Sequence, residues 1–303
     1  MTNLADRDQL SRFLIDGAGV RGVRVHLQDT WQQIRTRVAS FNQELPEAAA
    51  ELLGEAMAAS ALFTGHAKVD GRLSVQLRGH GALRALFAEC TAAGTLRGIA
   101  QLAEEGTVSR DLRELGPDAV LAITIENPSC DDREPIRYQG LVALDADSLA
   151  GAFEDYFRQS EQLPTRLLLA ADEKTAAGLM LQKLPGDAGD DDGWMRAGAL
   201  FDTLSPRELL EWSGEQLVTR LFHEDGVQML GTKPLAFGCS CSRERVESML
   251  ASLGAEEAHA ALADGEAVVR CEFCGQSYRF SPEQIGGLFT LGQDVQPAPE
   301  RTQ

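Results

Sequence analysis

Two cysteine pairs late in the chain constrain its folding more than any other feature. The first is Cys239-Ser240-Cys241, preceded by Gly238, and the second is Cys271-Glu272-Phe273-Cys274-Gly275. A CxxC turn aims two sulfurs at one point, and a following glycine lets the backbone close the turn. Twenty-nine residues separate Cys241 from Cys271. Four sulfurs from two knuckles joined by a helical insert suit tetrahedral zinc. Cys239, Cys241, Cys271 and Cys274 are therefore expected to hold one zinc ion. A segment of roughly 60 residues rarely holds a fold without such a staple.

The chemistry of the pairs extends the argument. Zinc ribbons usually present two CxxC pairs, whereas one pair here is CxC. The two sulfurs of a CxC can join only in a small, strained ring, which makes a more labile disulfide. Arg243, Arg245 and Arg270 flank the thiolates and are expected to favour the ionised, reactive form. Structural zinc contributes roughly 10–16 kcal/mol of apparent folding energy at neutral pH. Oxidised sulfurs no longer hold the metal, so a small domain that depends on that energy unfolds. Two other readings stay open at this point. One is a thiol–disulfide oxidoreductase using Cys271/Cys274, although such a CxxC normally opens a helix in a thioredoxin-like βαβ pattern. The other is a structural zinc ribbon in a nucleic-acid or assembly factor.

The rest of the composition narrows the setting. The chain begins Met1-Thr2-Asn3-Leu4-Ala5-Asp6-Arg7-Asp8, with no basic segment followed by an apolar run. No stretch approaches the roughly 18 apolar residues of a membrane span. The expectation is a cytoplasmic protein with no membrane partner. In a reducing cytoplasm, clustered cysteines are more often metal-binding or redox-active than structural disulfides. The net charge of -18 repels phosphates and argues against a nucleic-acid partner.

Along the chain, residues 1–185 mix strand and helix signals. Val23, Val25 and Leu27 alternate with polar residues, as do Leu73, Val75 and Leu77. Val120 to Ile125, Ile136 to Leu144, Arg166 to Ala170 and Gly178 to Leu184 are further strand candidates. Pro46 opens an alanine- and leucine-rich helix that reaches Leu62. Leu149, Phe153, Tyr156 and Phe157 fall on one helix face, more core than binding surface. The strands do not alternate regularly with crossover helices, so the fold class is α+β. Residues 186–230 read as a helical linker region. It starts with the acidic, glycine-rich stretch Gly186 to Gly193 and is marginally stable by itself. Ser205-Pro206 looks like an N-cap and first-turn proline, and Leu209, Leu217 and Phe222 need a surface to cover. Residues 231–293 form the small C-terminal domain. Ser242 caps a helix to Leu253 that Gly254 stops, Glu266–Arg270 and Ser277–Phe280 are short strands, and Ser281 opens a terminal helix. Residues 294–303 are expected to be a flexible tail.

Other signals carry less. Cys90 and Cys130 are isolated and read as packed or incidental thiols. His259 lies between the cysteine pairs, but no histidine shows ligand spacing with another. No GxSxG elbow, P-loop, GxGxxG or HExxH is present, and no catalytic residues are assigned.

These residues together resemble a known family. Phe237-Gly-Cys-Ser-Cys-Ser-Arg-Glu-Arg-Val246, Cys271-Glu-Phe-Cys-Gly275 and Tyr278 are similar to the zinc-dependent redox-switch domain of the thirty-three-kilodalton heat-shock chaperone family. Tyr156-Phe-Arg-Gln-Ser-Glu-Gln-Leu-Pro-Thr165, Gly178-Leu-Met-Leu-Gln-Lys-Leu-Pro185, Val20-Arg21-Gly22 and Gly54-Glu55 with Ala58 and Ala59 extend the resemblance over nearly the whole chain. It implies an ATP-independent holdase for unfolding client proteins, inactive while reduced and zinc-loaded. It also implies disulfides Cys239–Cys241 and Cys271–Cys274 on oxidation, with zinc release, unfolding of the linker and a tendency to homodimerise. The cysteine pattern shows no departure from the family's.

Overall fold

The computed structural model describes residues 7–41, 45–67, 69–129, 135–186, 189–263 and 265–290. The chain divides into two compact units between Gly238 and Cys239. Among the described residues, no helix is long and apolar enough to cross a membrane.

The first unit begins with an antiparallel hairpin of Asp8–Ile15 (β1) and Val20–Leu27 (β2). Helix Asp29–Ala39 (α1) has no side-chain cap of its own. The Asp8 carboxylate replaces one, accepting from the backbone N–H of Gln28, Asp29 and Thr30 at 3.0, 3.1 and 3.0 Å. Glu47–His66 (α2) follows, with Pro46 as its N-cap. It is apolar on nearly every side, and a helix of that kind must be buried all round. Two sheets do this. One is five-stranded, in the order β10-β1-β2-β9-β8, completed by Thr165–Ala171 (β8), Ala176–Lys183 (β9) and Val227–Pro234 (β10). The other is six-stranded, in the order β11-β5-β4-β3-β6-β7. Its strands are Arg72–Arg78 (β3), Leu83–Thr91 (β4), Thr95–Leu102 (β5), Val120–Asn127 (β6), Ile136–Val142 (β7) and Ala236–Phe237 (β11). Every strand pair in these two sheets is antiparallel except β11 with β5. Small side chains let α2 sit close to the sheets: a Cβ on Gly54 would lie 2.4 Å from the Ala171 Cβ. Leu149–Tyr156 (α3) adds Phe153, fully buried edge-on to Phe63 at 5.0 Å. This confirms the expected core role of that face.

Three helices cover the second face of the five-stranded sheet: Gly193–Phe201 (α4), Pro206–Glu211 (α5) and Gly214–Phe222 (α6). Ser205 caps α5 in a reciprocal capping box with Glu208. Leu209, Leu217 and Phe222 are fully buried against Phe13, Ile15 and Leu181 of the sheet, the surface that the sequence required. Two buried polar side chains of β2 reach into this layer. Arg24 Nη2 donates to the Trp212 carbonyl at 2.6 Å, and His26 Nε2 lies 3.1 Å from the Leu210 carbonyl. The acidic stretch has a local purpose: Asp190 and Asp192 join the buried Asp225 around Arg196, at 3.2, 2.8 and 2.5 Å.

Two expectations shift here. The helical linker was to reach Leu230 and the C-terminal domain to start at Gly231, but Val227–Pro234 is a strand paired with β1. The boundary between units therefore falls at Cys239. A strand that pairs with the first strand of the chain, with Met229 and Leu230 exposed at the sheet edge, has little local signature.

The second unit has helices Arg243–Leu253 (α7), Ala255–Ala260 (α8) and Pro282–Thr290 (α9). Its three-stranded sheet runs in the order β12-β13-β14, from Leu262–Ala263 (β12), Glu266–Arg270 (β13) and Ser277–Phe280 (β14). Ser242 caps α7 and Gly254, at φ 94°, ends it, as expected. The buried core is Val246, Leu250, Ala258, Ala267, Phe280 and Ile285. The expected tail, residues 294–303, lies outside the described residues.

Candidate metal centre

The β13–β14 hairpin presents the second cysteine pair at its turn. Cys271 N–H donates to the Gln276 carbonyl at 2.9 Å, and Gly275 N–H donates to the Cys271 carbonyl at 2.8 Å. Gly275 has φ 80°, the left-handed conformation that favours glycine, so it closes the turn as the sequence suggested. The first pair lies just before α7. Arg245 Nη1 donates to the Ser240 carbonyl at 3.0 Å and to Ser240 Oγ at 2.9 Å, which fixes the short CxC loop against the helix.

The two knuckles bring all four sulfurs within 4.8 Å of one another. Cys239 Sγ lies 3.6 Å from Cys271 Sγ, and Cys241 Sγ lies 3.3 Å from Cys274 Sγ. Four Zn–S bonds of about 2.3 Å in a tetrahedron separate sulfurs by about 3.8 Å. The donor set and its spacing therefore fit a tetrahedral thiophilic ion, and the four cysteines are positioned to hold one. Each is half-buried, which leaves the sulfurs open to small reagents.

Without a metal, four thiols this close compete for protons. Burial raises the Cys241 pKa, but hydrogen bonds from Tyr278 and the neighbouring thiols outweigh it and hold the group below its ordinary value. Burial and the neighbouring sulfurs push Cys274 up to about 12. Cys239 also rises, mainly through burial. A cation at the centre would favour the ionised form of its sulfur ligands.

The flanking arginines also make structural contacts. Arg243 pairs with Glu247 at 3.1 Å, donates to the Arg279 carbonyl at 3.2 Å and lies over the Phe280 ring at 4.3 Å. Arg245 is tied to Ser240, and Arg270 Nε donates to the Gly275 carbonyl at 3.4 Å. These side chains brace the knuckles. It is Tyr278 Oη that reaches a sulfur, donating to Cys241 Sγ at 3.1 Å. Sequence reasoning had Tyr278 only as an aromatic of the motif. Its register, paired with Val269 two residues before Cys271, is the signal that places it. His259 stands apart from the centre, with Nδ1 2.6 Å from the Ala255 carbonyl and its ring near Phe289. Cys90 is buried in the core, and burial pushes its thiol up to about 12, an inert state. Cys130 lies outside the described residues.

Comparison with known proteins agrees with this architecture. The family model described as Hsp33 protein matches residues 8–281. The 33 kDa chaperonin of Ectopseudomonas mendocina is 41% identical over 97% of this chain and 99% of its own. That of Azotobacter vinelandii is 40% identical over 98% of this chain and 100% of its own. In fold, the chain is similar to the crystal structure of the 33 kDa chaperonin (heat shock protein 33 homolog) from Thermotoga maritima. That match has a TM-score of 0.74 at 21% identity and covers 94% of this chain and 98% of the other. From the family match and from these relatives, the chain belongs to the Hsp33 family of chaperones.

Proposed function

We propose that the protein is a redox-regulated, ATP-independent holdase whose metal centre is a zinc switch. The observation that carries this reading is the gathering of four half-buried sulfurs in a unit with a very small apolar core. In the reduced form Cys239, Cys241, Cys271 and Cys274 hold one zinc ion, which supplies folding energy and keeps the sulfurs as thiolates. Peroxide oxidises the sulfurs in two pairs, Cys239–Cys241 and Cys271–Cys274. Each pair of thiolates gives up two electrons, and each peroxide takes them up with two protons from solvent and leaves as two waters. This pairing is the one that the family resemblance implies.

The region 186–226, ahead of β10, is the metastable linker of this scheme. Its helices α4 to α6 bury apolar side chains against β1, β2 and β9. Release of that layer uncovers Leu209, Leu217 and Phe222, together with Phe13, Ile15 and Leu181 on the sheet. That is the apolar surface offered to unfolding client proteins. Exposed surface of this kind also favours a homodimer on activation. The protein acts in the cytoplasm, without enzymatic turnover and without a nucleic-acid or membrane partner. The CxxC lies in a hairpin turn and not at a helix N-terminus, which supports this reading over a dithiol oxidoreductase.

The test is light scattering from a heat-unfolding client without ATP, with the protein either reduced and zinc-loaded or peroxide-oxidised. Suppression by the oxidised form alone is the expected result. Equal failure of both forms, with zinc release confirmed, would reduce the centre to a structural ribbon.

A further inference from the structure

Arg21 on β2 lies opposite Gln182 on β9. Its Nη2 donates to Gln182 Oε1 at 2.5 Å and lies 2.9 Å from His66 Nε2. Gln182 is itself buried, at 1% exposure, and is held by Thr165 Oγ1 at 3.1 Å. The Arg21 Nε is buried and has no hydrogen-bond partner. Burial lowers the Arg21 pKa, and no carboxylate among the described residues ion-pairs with it. His66 brings no negative charge either. Burial and the Arg21 charge lower its pKa to about 4, so it is neutral at pH 7.

Beside this guanidinium is a cavity of about 230 Å³ with walls that include Phe63, Phe157, Ile125 and Leu163. Its rim is a π-helical turn, Phe157–Glu161, closed by Gln162 at φ 55°. Among the described residues Gln162 is the one non-glycine residue with positive φ. Single π turns and left-handed non-glycine residues cost energy and recur at ligand sites. Three sequence stretches singled out above, Val20 to Gly22, Tyr156 to Thr165 and Gly178 to Pro185, meet at this cavity. The metal centre uses none of them.

A guanidinium that makes no ion pair among the described residues, beside apolar walls, specifies a ligand. We propose that the cavity binds an organic monocarboxylate with an apolar body, its carboxylate on Arg21 and its body among Phe63, Phe157, Ile125 and Leu163. The volume falls below the roughly 300–1,000 Å³ of drug-sized sites, so the occupant has the size of an arylpropionate or one terminal peptide residue. This inference is independent of the redox switch.

The test uses the reduced, full-length, zinc-loaded protein. It is titrated calorimetrically with 3-phenylpropionate and with the neutral 3-phenylpropanamide, while NMR follows the His66 ring. The acid binds, the amide does not, and the bound carboxylate moves the His66 signal. Arg21→Gln removes a charge-assisted contact and weakens binding roughly 10- to 100-fold. Ile125→Trp fills the cavity and abolishes binding with Arg21 intact, which keeps the test decisive if Arg21→Gln disturbs folding. N-acetyl-Gly-Phe and its C-terminal amide separate the two sources of this chemistry. Binding of the free-terminus peptide identifies chain ends, and binding of the small acid alone identifies a free metabolite. Equal binding of acid and amide, no binding at millimolar acid, or unchanged binding in Ile125→Trp would overturn the proposal.

Discussion

On the proposed function, removing the zinc while the thiols stay reduced isolates the part of the switch that rests on folding energy alone. The second unit spans residues 239–303, and its buried core is six side chains, two of them alanines. At roughly 0.05–0.15 kcal/mol per residue, a unit of this length has a total stability of about 3–10 kcal/mol. A structural zinc site contributes about 10–16 kcal/mol of that total. Without the ion the unit is left between about zero and -13 kcal/mol, and the middle of that range favours the unfolded chain on the order of 10⁵-fold. Chelation under reducing conditions should therefore unfold α7, β13 and β14 without any disulfide. The core around α2 in the first unit contains no part of the centre and stays folded. Hydrogen exchange read by mass spectrometry checks this. Amides of Arg243–Leu253 and Glu266–Phe280 should exchange fully after stoichiometric zinc loss, while those of α2 stay protected. Retained protection in the second unit, with zinc loss confirmed, would refute the argument that the metal holds this unit together.

Three further outcomes follow from single side chains. Tyr278→Phe removes the hydrogen bond to Cys241 Sγ and should lower zinc affinity roughly 10- to 100-fold, as losses around metal ligands generally do; competition with a chromogenic chelator measures it, and an unchanged affinity would make the phenol a packing group. Phe222→Ala empties a fully buried site and should cost about 3–5 kcal/mol in urea unfolding, with early loss of amide protection across α4 to α6. Glu55 is buried beside Arg110, and burial raises its pKa to about 7. A carboxyl raised above its unfolded value of 4.5 stabilises most below that pH and loses this contribution as pH rises through 7. Glu55→Gln should gain stability relative to the parent across that window, by roughly 3 kcal/mol at most, with no relative gain below it. Parallel stability–pH curves for the two proteins would sink this reading.

Much of the fold was legible where the pattern is local. The alternation of Val23, Val25 and Leu27 marks β2, and the Ser205 and Ser242 caps mark the starts of α5 and α7. The knuckles, the hairpin strands around the second pair and the Gly254 stop were readable for the same reason. Elements defined by distant partners were not. β1 and β10 pair across nearly the whole first unit, and β10 carries Met229 and Leu230 on an exposed edge, so no buried face shows in its sequence. β4 and β5 went unread for a related reason, because their pairing around Gly94 is visible only as a hairpin within a sheet. At the metal centre the ligands were legible from spacing, but their surroundings were not. Arg243 lies beside the cysteines in sequence yet turns to Glu247 and Phe280, whereas Tyr278 reaches Cys241 across 37 positions of chain.

The two units concentrate their stability in different ways, and on the proposed function the difference explains why a chemical signal strikes the second unit first. In the first unit, α2 is enclosed by two sheets and the α4–α6 layer adds a second core, so no single atom carries the fold. In the second, much of the folding energy would pass through four sulfur atoms within 4.8 Å of one another. A reagent that modifies two of those atoms removes more stability than any single core substitution could, since the latter rarely exceeds about 5 kcal/mol. Half-burial of the sulfurs completes the arrangement, for a fully buried thiol such as Cys90 is shielded from the same reagent.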